Sequence, residues 1–255
     1  MSSFLSLVRS GRSVLGCFAF TSSPAIIEMI ALAGFDYVVI DMEHSAKSWP
    51  DVENLVRSAE VRGMPALVRV AENSESDIRI ALECGADGIV VPGIGSVDDA
   101  SKAFQAMRFS PVGLRGACPL SRAASYGPTD YSAFTDSSNK ERALVLLIED
   151  ISAARSISDI MATVDENVCY MVGRSDLASS LGLLGNPGQA TVVEAARQFV
   201  ADVKACQPEA AVGMGLYSPS EIAMWKDEGC KFFWYGADVS IFLQAARRIV
   251  QELRS

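Results

Sequence analysis

The chain has 255 residues, 49% hydrophobic and 21% charged, with a formal net charge of −9, which suits one large buried core. That acidity, without any Lys/Arg cluster, excludes nucleic acid and an anionic membrane surface as main partners. No run reaches the ~18 apolar residues of a membrane span, and the six scattered cysteines form no CxxC pair, so reduced thiols in a cytoplasmic protein are expected.

In chain order, short apolar runs alternate with stretches of helical spacing. Strands are predicted over Val14–Phe20, Tyr37–Asp41, Ala66–Val70 and Gly88–Pro92, with helices over Pro24–Ala33, Pro50–Arg62, Glu75–Cys84 and Val97–Met107 between and after them. The second half repeats the rhythm. Strands fall at Ala143–Glu149, Val168–Gly173, Ala211–Leu216 and Phe232–Gly236, and helices at Ile151–Val164, Thr191–Cys206, Pro219–Glu228 and Val239–Glu252. Start signals agree at Ser23-Pro24, Ser48-Trp49-Pro50, Ser96-Val97-Asp98 and Ser218-Pro219, and glycine follows three of the helices at Gly34, Gly85 and Gly229. Eight βα units with strands apolar on both faces predict a closed (β/α)8 barrel spanning residues 1–255 as a single domain. An open doubly wound sheet is the rival, but no GxGxxG follows the first strand. Residues 109–142 break the rhythm; this loop-rich insertion, with Arg115, Arg122 and Tyr126, is expected to shape a pocket or a subunit contact.

Barrel enzymes carry their chemistry at the C-terminal ends of the strands. The second strand ends in Asp41, Glu43 and His44, the only histidine. A histidine satisfied by a nearby carbonyl is the bland reading, and proton transfer is the sharp one. Arg69, inside an apolar strand, needs an acid partner or an anion to meet. Glu149 and Asp176 follow two successive strands and should face one another, forming a hard divalent site of Mg²⁺ or Mn²⁺ character; as bland alternatives they are helix caps or ion-pair partners. Gly173-Arg174-Ser175 offers backbone N–H groups to a substrate carboxylate, and Gly215-Leu216-Tyr217-Ser218 and Gly236-Ala237-Asp238 stand where barrels bind phosphate, though neither is glycine-dense. No lysine stands at a predicted strand end beside this cluster.

At these residues the chain resembles the HpcH/HpaI aldolases, class II pyruvate-dependent enzymes. The phrases are Ala33-Gly34-Phe35-Asp36, Ile40-Asp41-Met42-Glu43-His44, Leu67-Val68-Arg69, Gly113-Leu114-Arg115-Gly116, Ile148-Glu149 and Gly173-Arg174-Ser175-Asp176-Leu177. The resemblance implies a barrel of the phosphoenolpyruvate/pyruvate type and a homo-oligomer, a hexamer built as a trimer of dimers. It implies Mg²⁺, Mn²⁺ or Co²⁺ on Glu149 and Asp176, Arg69 at an enolate oxygen, and His44, oriented by Asp41, moving protons. Substrate contacts are expected from Arg69, Arg115, Gly173, Arg174, Ser175 and Leu216. Two positions depart from the family pattern: Leu147 replaces a usual glutamine, and Glu83 a usual aspartate.

The expected reaction is cleavage or formation of a 4-hydroxy-2-oxo acid through a pyruvate enolate, with pyruvate and an aldehyde as partners. The alternative is a siderophore-type condensation of oxaloacetate with acetyl-CoA on the same metal site. A non-catalytic binding barrel is the third reading, and it predicts no turnover with any substrate.

Overall fold

In the computed structural model, which describes residues 2–127, 129–165 and 167–255, eight strands close a parallel barrel in sequence order. They are β1 Val14–Ala19, β2 Tyr37–Asp41, β3 Ala66–Arg69, β4 Gly88–Val91, β5 Ala143–Ile148, β6 Val168–Val172, β7 Ala211–Leu216 and β8 Phe232–Ala237. β8 pairs with β1 to complete the ring. The helices are α1 Phe4–Arg9, α2 Pro24–Leu32, α3 Trp49–Val61, α4 Glu75–Glu83, α5 Val97–Met107, α6 Tyr131–Glu141, α7 Ile151–Arg155, α8 Ile157–Met161, α9 Arg174–Ser180, α10 Ala190–Cys206, α11 Ile222–Asp227 and α12 Asp238–Arg254. The predicted fold is the observed one.

Alternation along each strand divides the core in two. Tyr37, Val39, Leu67, Val145, Leu147 and Met171 fill the barrel, whereas Val38, Ile40, Val68, Leu146 and Val172 pack outward beneath the helices. The same alternation carries Asp41 and Arg69 inward at the mouth. β5 and β6 end at Ile148 and Val172, one residue earlier than predicted, so Glu149 and Gly173 begin the loops above the barrel.

Three helices were not expected. α1 begins at a Ser3 cap, and its Phe4 closes the barrel floor against Tyr37 and Phe232, at ring distances of 4.9 and 5.3 Å. α6 lies within the 109–142 insertion, of which Pro128 is outside the described residues. Only Ser138 of α6 is buried, so it lacks the apolar stripe that sequence reading depends on. Tertiary bonds hold it instead: Asn139 accepts from the Phe109 N–H at 2.7 Å and donates to the Phe109 carbonyl at 3.1 Å. α9 starts directly after Gly173, which places Asp176 in its first turn. The predicted helix over Ile151–Val164 breaks at Ser156, whose φ of −101° and ψ of 18° leave the helical region. All six cysteines are free, four of them buried, and burial pushes the Cys84 thiol up to about 11. Among the described residues no helix is long and apolar enough to cross a membrane.

Candidate active site

Asp41 and Arg69 are register partners on adjacent strands and both face inward, so they meet. Asp41 is fully buried and accepts from Arg69 Nε at 2.8 Å and from Nη2 at 3.0 Å, a bidentate pair. The third guanidinium nitrogen, Nη1, lies 2.9 Å from Glu43 Oε2. The Phe18 ring covers the guanidinium at 4.8 Å. Asp41 therefore holds the arginine; it does not orient His44 as expected. Glu43, two residues on, is the carboxylate beside the histidine, 3.7 Å from Nε2. Strand alternation explains the exchange: Asp41 ends β2 pointing inward, and the chain has turned by Glu43. The alternation visible in Tyr37-Val38-Val39-Ile40-Asp41 was the signal that could have assigned these roles.

His44 is the exposed member of the group, 62% accessible in its side chain. Its loop is strapped down by Lys47, whose Nζ donates to Ala19 O at 3.0 Å, Phe20 O at 2.8 Å, Asp41 O at 3.0 Å and Ser45 Oγ at 2.6 Å. No lysine stands at a strand end here, but Lys47 reaches the cluster from the loop after β2, which folds back over the strand ends. Burial lowers its pKa, yet the four oxygens favour the ammonium, which has no lone pair to offer as a nucleophile.

Glu149 Oε2 accepts from the Gly93 N–H at 2.8 Å. Burial lifts its carboxyl to about 7, with the charges of Glu43 and Asp176 adding to the rise. Glu43 is raised for the same first reason, and Asp176 contributes there too. Three carboxylates thus share one region with the Arg69 guanidinium, two of whose nitrogens are bound to Asp41 and the third to Glu43. Such crowding is the electrostatic mark of a site built for a cation. Among the described residues no three His, Cys, Asp or Glu side chains converge on one point. Two carboxylates, Glu149 and the exposed Asp176, with water and substrate oxygens completing the shell, fit a hard ion such as Mg²⁺ or Mn²⁺.

Gly173 makes that pair possible. A Cβ there would lie 2.8 Å from Glu149 Cγ and 3.1 Å from Oε1, while its φ of −85° is open to any residue. Gly173→Ala is therefore expected to keep the fold, displace Glu149 and weaken divalent-metal affinity by ~10-fold or more, as read by calorimetric titration.

The side chains of two arginines expected to contact substrate are held by other partners. The Arg174 side chain is buried, donating to Glu221 Oε2 at 2.6 Å and to Gly215 O at 2.9 Å, with Tyr217 and Trp225 against its plane. It braces the loop; only its backbone can serve a substrate. Arg115 is buried against the Phe109 ring and Ser138 beneath α6, and its charged neighbours are Glu83, Arg142 and Arg79, none from the mouth. Two further residues of the insertion are placed by partners of their own: Arg122 pairs with Glu60 and donates to Cys84 O, while Tyr126 lies beside Arg57. Ser175 stands at the mouth, its hydroxyl 2.6 Å from Tyr217 Oη, and nearly buried Leu216 lines the adjoining cavity. Leu147 lies one layer below Glu149, buried, and forms an apolar floor.

A family model described as HpcH/HpaI aldolase/citrate lyase matches residues 14–245. A hydroxypyruvate/pyruvate aldolase of Paraburkholderia phytofirmans is 31% identical over 95% of this chain and 94% of its own. An HpcH/HpaI aldolase/citrate lyase family protein from Burkholderia cenocepacia superposes with a TM-score of 0.90 at 31% identity, covering both chains completely. The citrate synthase SbnG superposes with a TM-score of 0.87 at 26% identity, over 100% of this chain and 98% of its own.

Proposed function

Because the chain belongs to the HpcH/HpaI aldolase/citrate lyase family, we propose that it is a divalent-metal-dependent aldolase that makes and breaks 4-hydroxy-2-oxo acids through pyruvate. The observation that carries this reading is the crowding of Glu149, Glu43 and Asp176 beside a guanidinium anchored by Asp41.

Glu149 and Asp176 would hold the metal, Mg²⁺ or Mn²⁺ suiting two carboxylates equally. When bound, the ion polarises the keto group of the 2-oxo acid, making a carbanion at the next carbon accessible. Arg69 is fixed by two hydrogen bonds to Asp41, so its charge is in place before an oxyanion develops. In the cleavage direction His44 takes the proton of the 4-hydroxyl. The C3–C4 bond then breaks, its electron pair passes to the enolate and an aldehyde leaves; a proton returned to C3 gives pyruvate. Glu43 Oε2 lies 3.7 Å from His44 Nε2, beside the ring. The substrate carboxylate would meet backbone N–H groups at Gly173 and Ser175.

Purified protein should release pyruvate from a 4-hydroxy-2-oxo acid, EDTA should abolish the release, and Mg²⁺ or Mn²⁺ should restore it. The likeness to SbnG and the apolar Leu147 favour one second reading, condensation of oxaloacetate with acetyl-CoA. Free CoA without an aldehyde product would establish it in place of the first.

The protein would work as a homo-oligomer. α12 supports this: of its seventeen residues only Asp238 is buried, while Phe242 and Leu253 are 72% and 81% exposed and Ile249 and Val250 add to the same apolar surface. A second copy covering α12 predicts a multiple of 27.2 kDa in solution, with a hexamer expected. Phe242→Asp with Leu253→Asp should lower the mass measured by light scattering.

A further inference from the structure

A cavity of about 340 Å³ adjoins the candidate site on the side of β7, β8 and β1. Its walls are aromatic and apolar: Phe18, Leu216, Tyr217, Trp234, Tyr235 and Ile241. It joins the catalytic cluster at both ends. Phe18 touches Arg69 on one side and Trp234 on the other, its ring 4.7 Å from the indole. Tyr217 meets Ser175 beside the carboxylate-binding loop. Trp234 is seated by a glycine, since a Cβ on Gly215 would lie 2.6 Å from its Nε1. The absence of a side chain at Gly215 thus makes room for the indole, which forms one wall.

No lining residue carries a charge. The cations around it are already engaged: Arg69 is paired with Asp41 and covered by Phe18, Arg174 is paired with Glu221 and covered by Tyr217, and Lys47 is bound to the carbonyls of Ala19 and Phe20. The acid nearby, Asp238, is buried on the amides of Phe20 and Thr21. The polar groups that remain are Ser240, Gln244 and the tyrosine hydroxyls at the rim. A carboxylate or phosphate entering here would lose water and find no counter-charge, while a flat apolar body would stack. Arg115 and Arg122 of the insertion are held by Ser138, Glu60 and Cys84, elsewhere in the fold.

The geometry points to Trp234, with Phe18 and Tyr217, as the determinant of the second substrate, selecting an uncharged aldehyde with a planar apolar body. This rests on the aldolase reading.

Metal-loaded, full-length protein would be assayed with pyruvate and either benzaldehyde or 4-formylbenzoate, which share a ring and differ by one carboxylate. Solvent deuterium exchange into the pyruvate methyl reports the donor half alone. Wild type should favour benzaldehyde in kcat/KM by ~10-fold or more. Trp234→Leu should lower benzaldehyde turnover by a similar factor relative to exchange. Gln244→Arg, at the cavity rim on α12, should shift the preference toward 4-formylbenzoate. Equal use of the two aldehydes by wild type, or no shift in preference with Gln244→Arg, would overturn the inference while exchange left the aldolase reading standing. Absence of metal-dependent exchange in wild type would overturn both.

Discussion

Glu149→Gln should lower aldol turnover by at least ~10³-fold and abolish the rise in Tm that Mg²⁺ or Mn²⁺ confers on the wild type. The side chain keeps its size, and the Gly93 N–H can still donate to an amide oxygen, so the barrel should remain folded. What changes is charge: one of the two carboxylates that would hold the ion becomes neutral. Three decades correspond to ~4 kcal/mol of transition-state stabilisation, within what a Lewis acid at a keto oxygen supplies. Unchanged turnover with the metal-induced Tm rise intact would remove Glu149 from the metal site. It would leave its raised carboxyl as a consequence of burial alone.

Asp41→Asn should have the largest effect on stability. Asp41 is completely buried and Arg69 nearly so, and the substitution leaves a guanidinium facing a neutral amide whose N–H₂ cannot accept. Breaking a buried pair from one side costs ~3–5 kcal/mol, which for a chain of this size is a fall in Tm on the order of 10 °C. Turnover should fall by ~10²-fold or more, because Arg69 loses the fixed position from which it meets the oxyanion. The double variant Asp41→Asn, Arg69→Met should be more stable than Asp41→Asn alone, since it removes a buried guanidinium left with Glu43 as its one charged partner, and thermal denaturation of these two and of Arg69→Met alone measures that coupling. Were Asp41 instead an orienter of His44, adding Arg69→Met would restore nothing. A loss of turnover without a loss of Tm would point the same way.

The sequence by itself determined the barrel and the meeting of its strand-end ionisable residues at one mouth. Eight buried strand runs, eight helical stretches and their serine and glycine punctuation admit few other arrangements, because each helix must cover the strands before and after it. Asp41, His44, Arg69, Glu149 and Asp176 were legible for the same reason: ionisable groups at the ends of apolar strands arrive at one mouth. The partnerships among them were not. Asp41 takes two of the Arg69 nitrogens because of side-chain alternation across a register set by the closed sheet, leaving the third to Glu43. Lys47 enters the cluster by a folded-back loop, and Arg174 and Arg115 leave it for Glu221 and Phe109. α6, polar on nearly every face, exists through Asn139 and Phe109, thirty residues apart. Hydrophobic periodicity is a local property and survives in a single chain. The direction of a long charged side chain is decided by which buried partner satisfies it, and only the assembled tertiary structure supplies those partners.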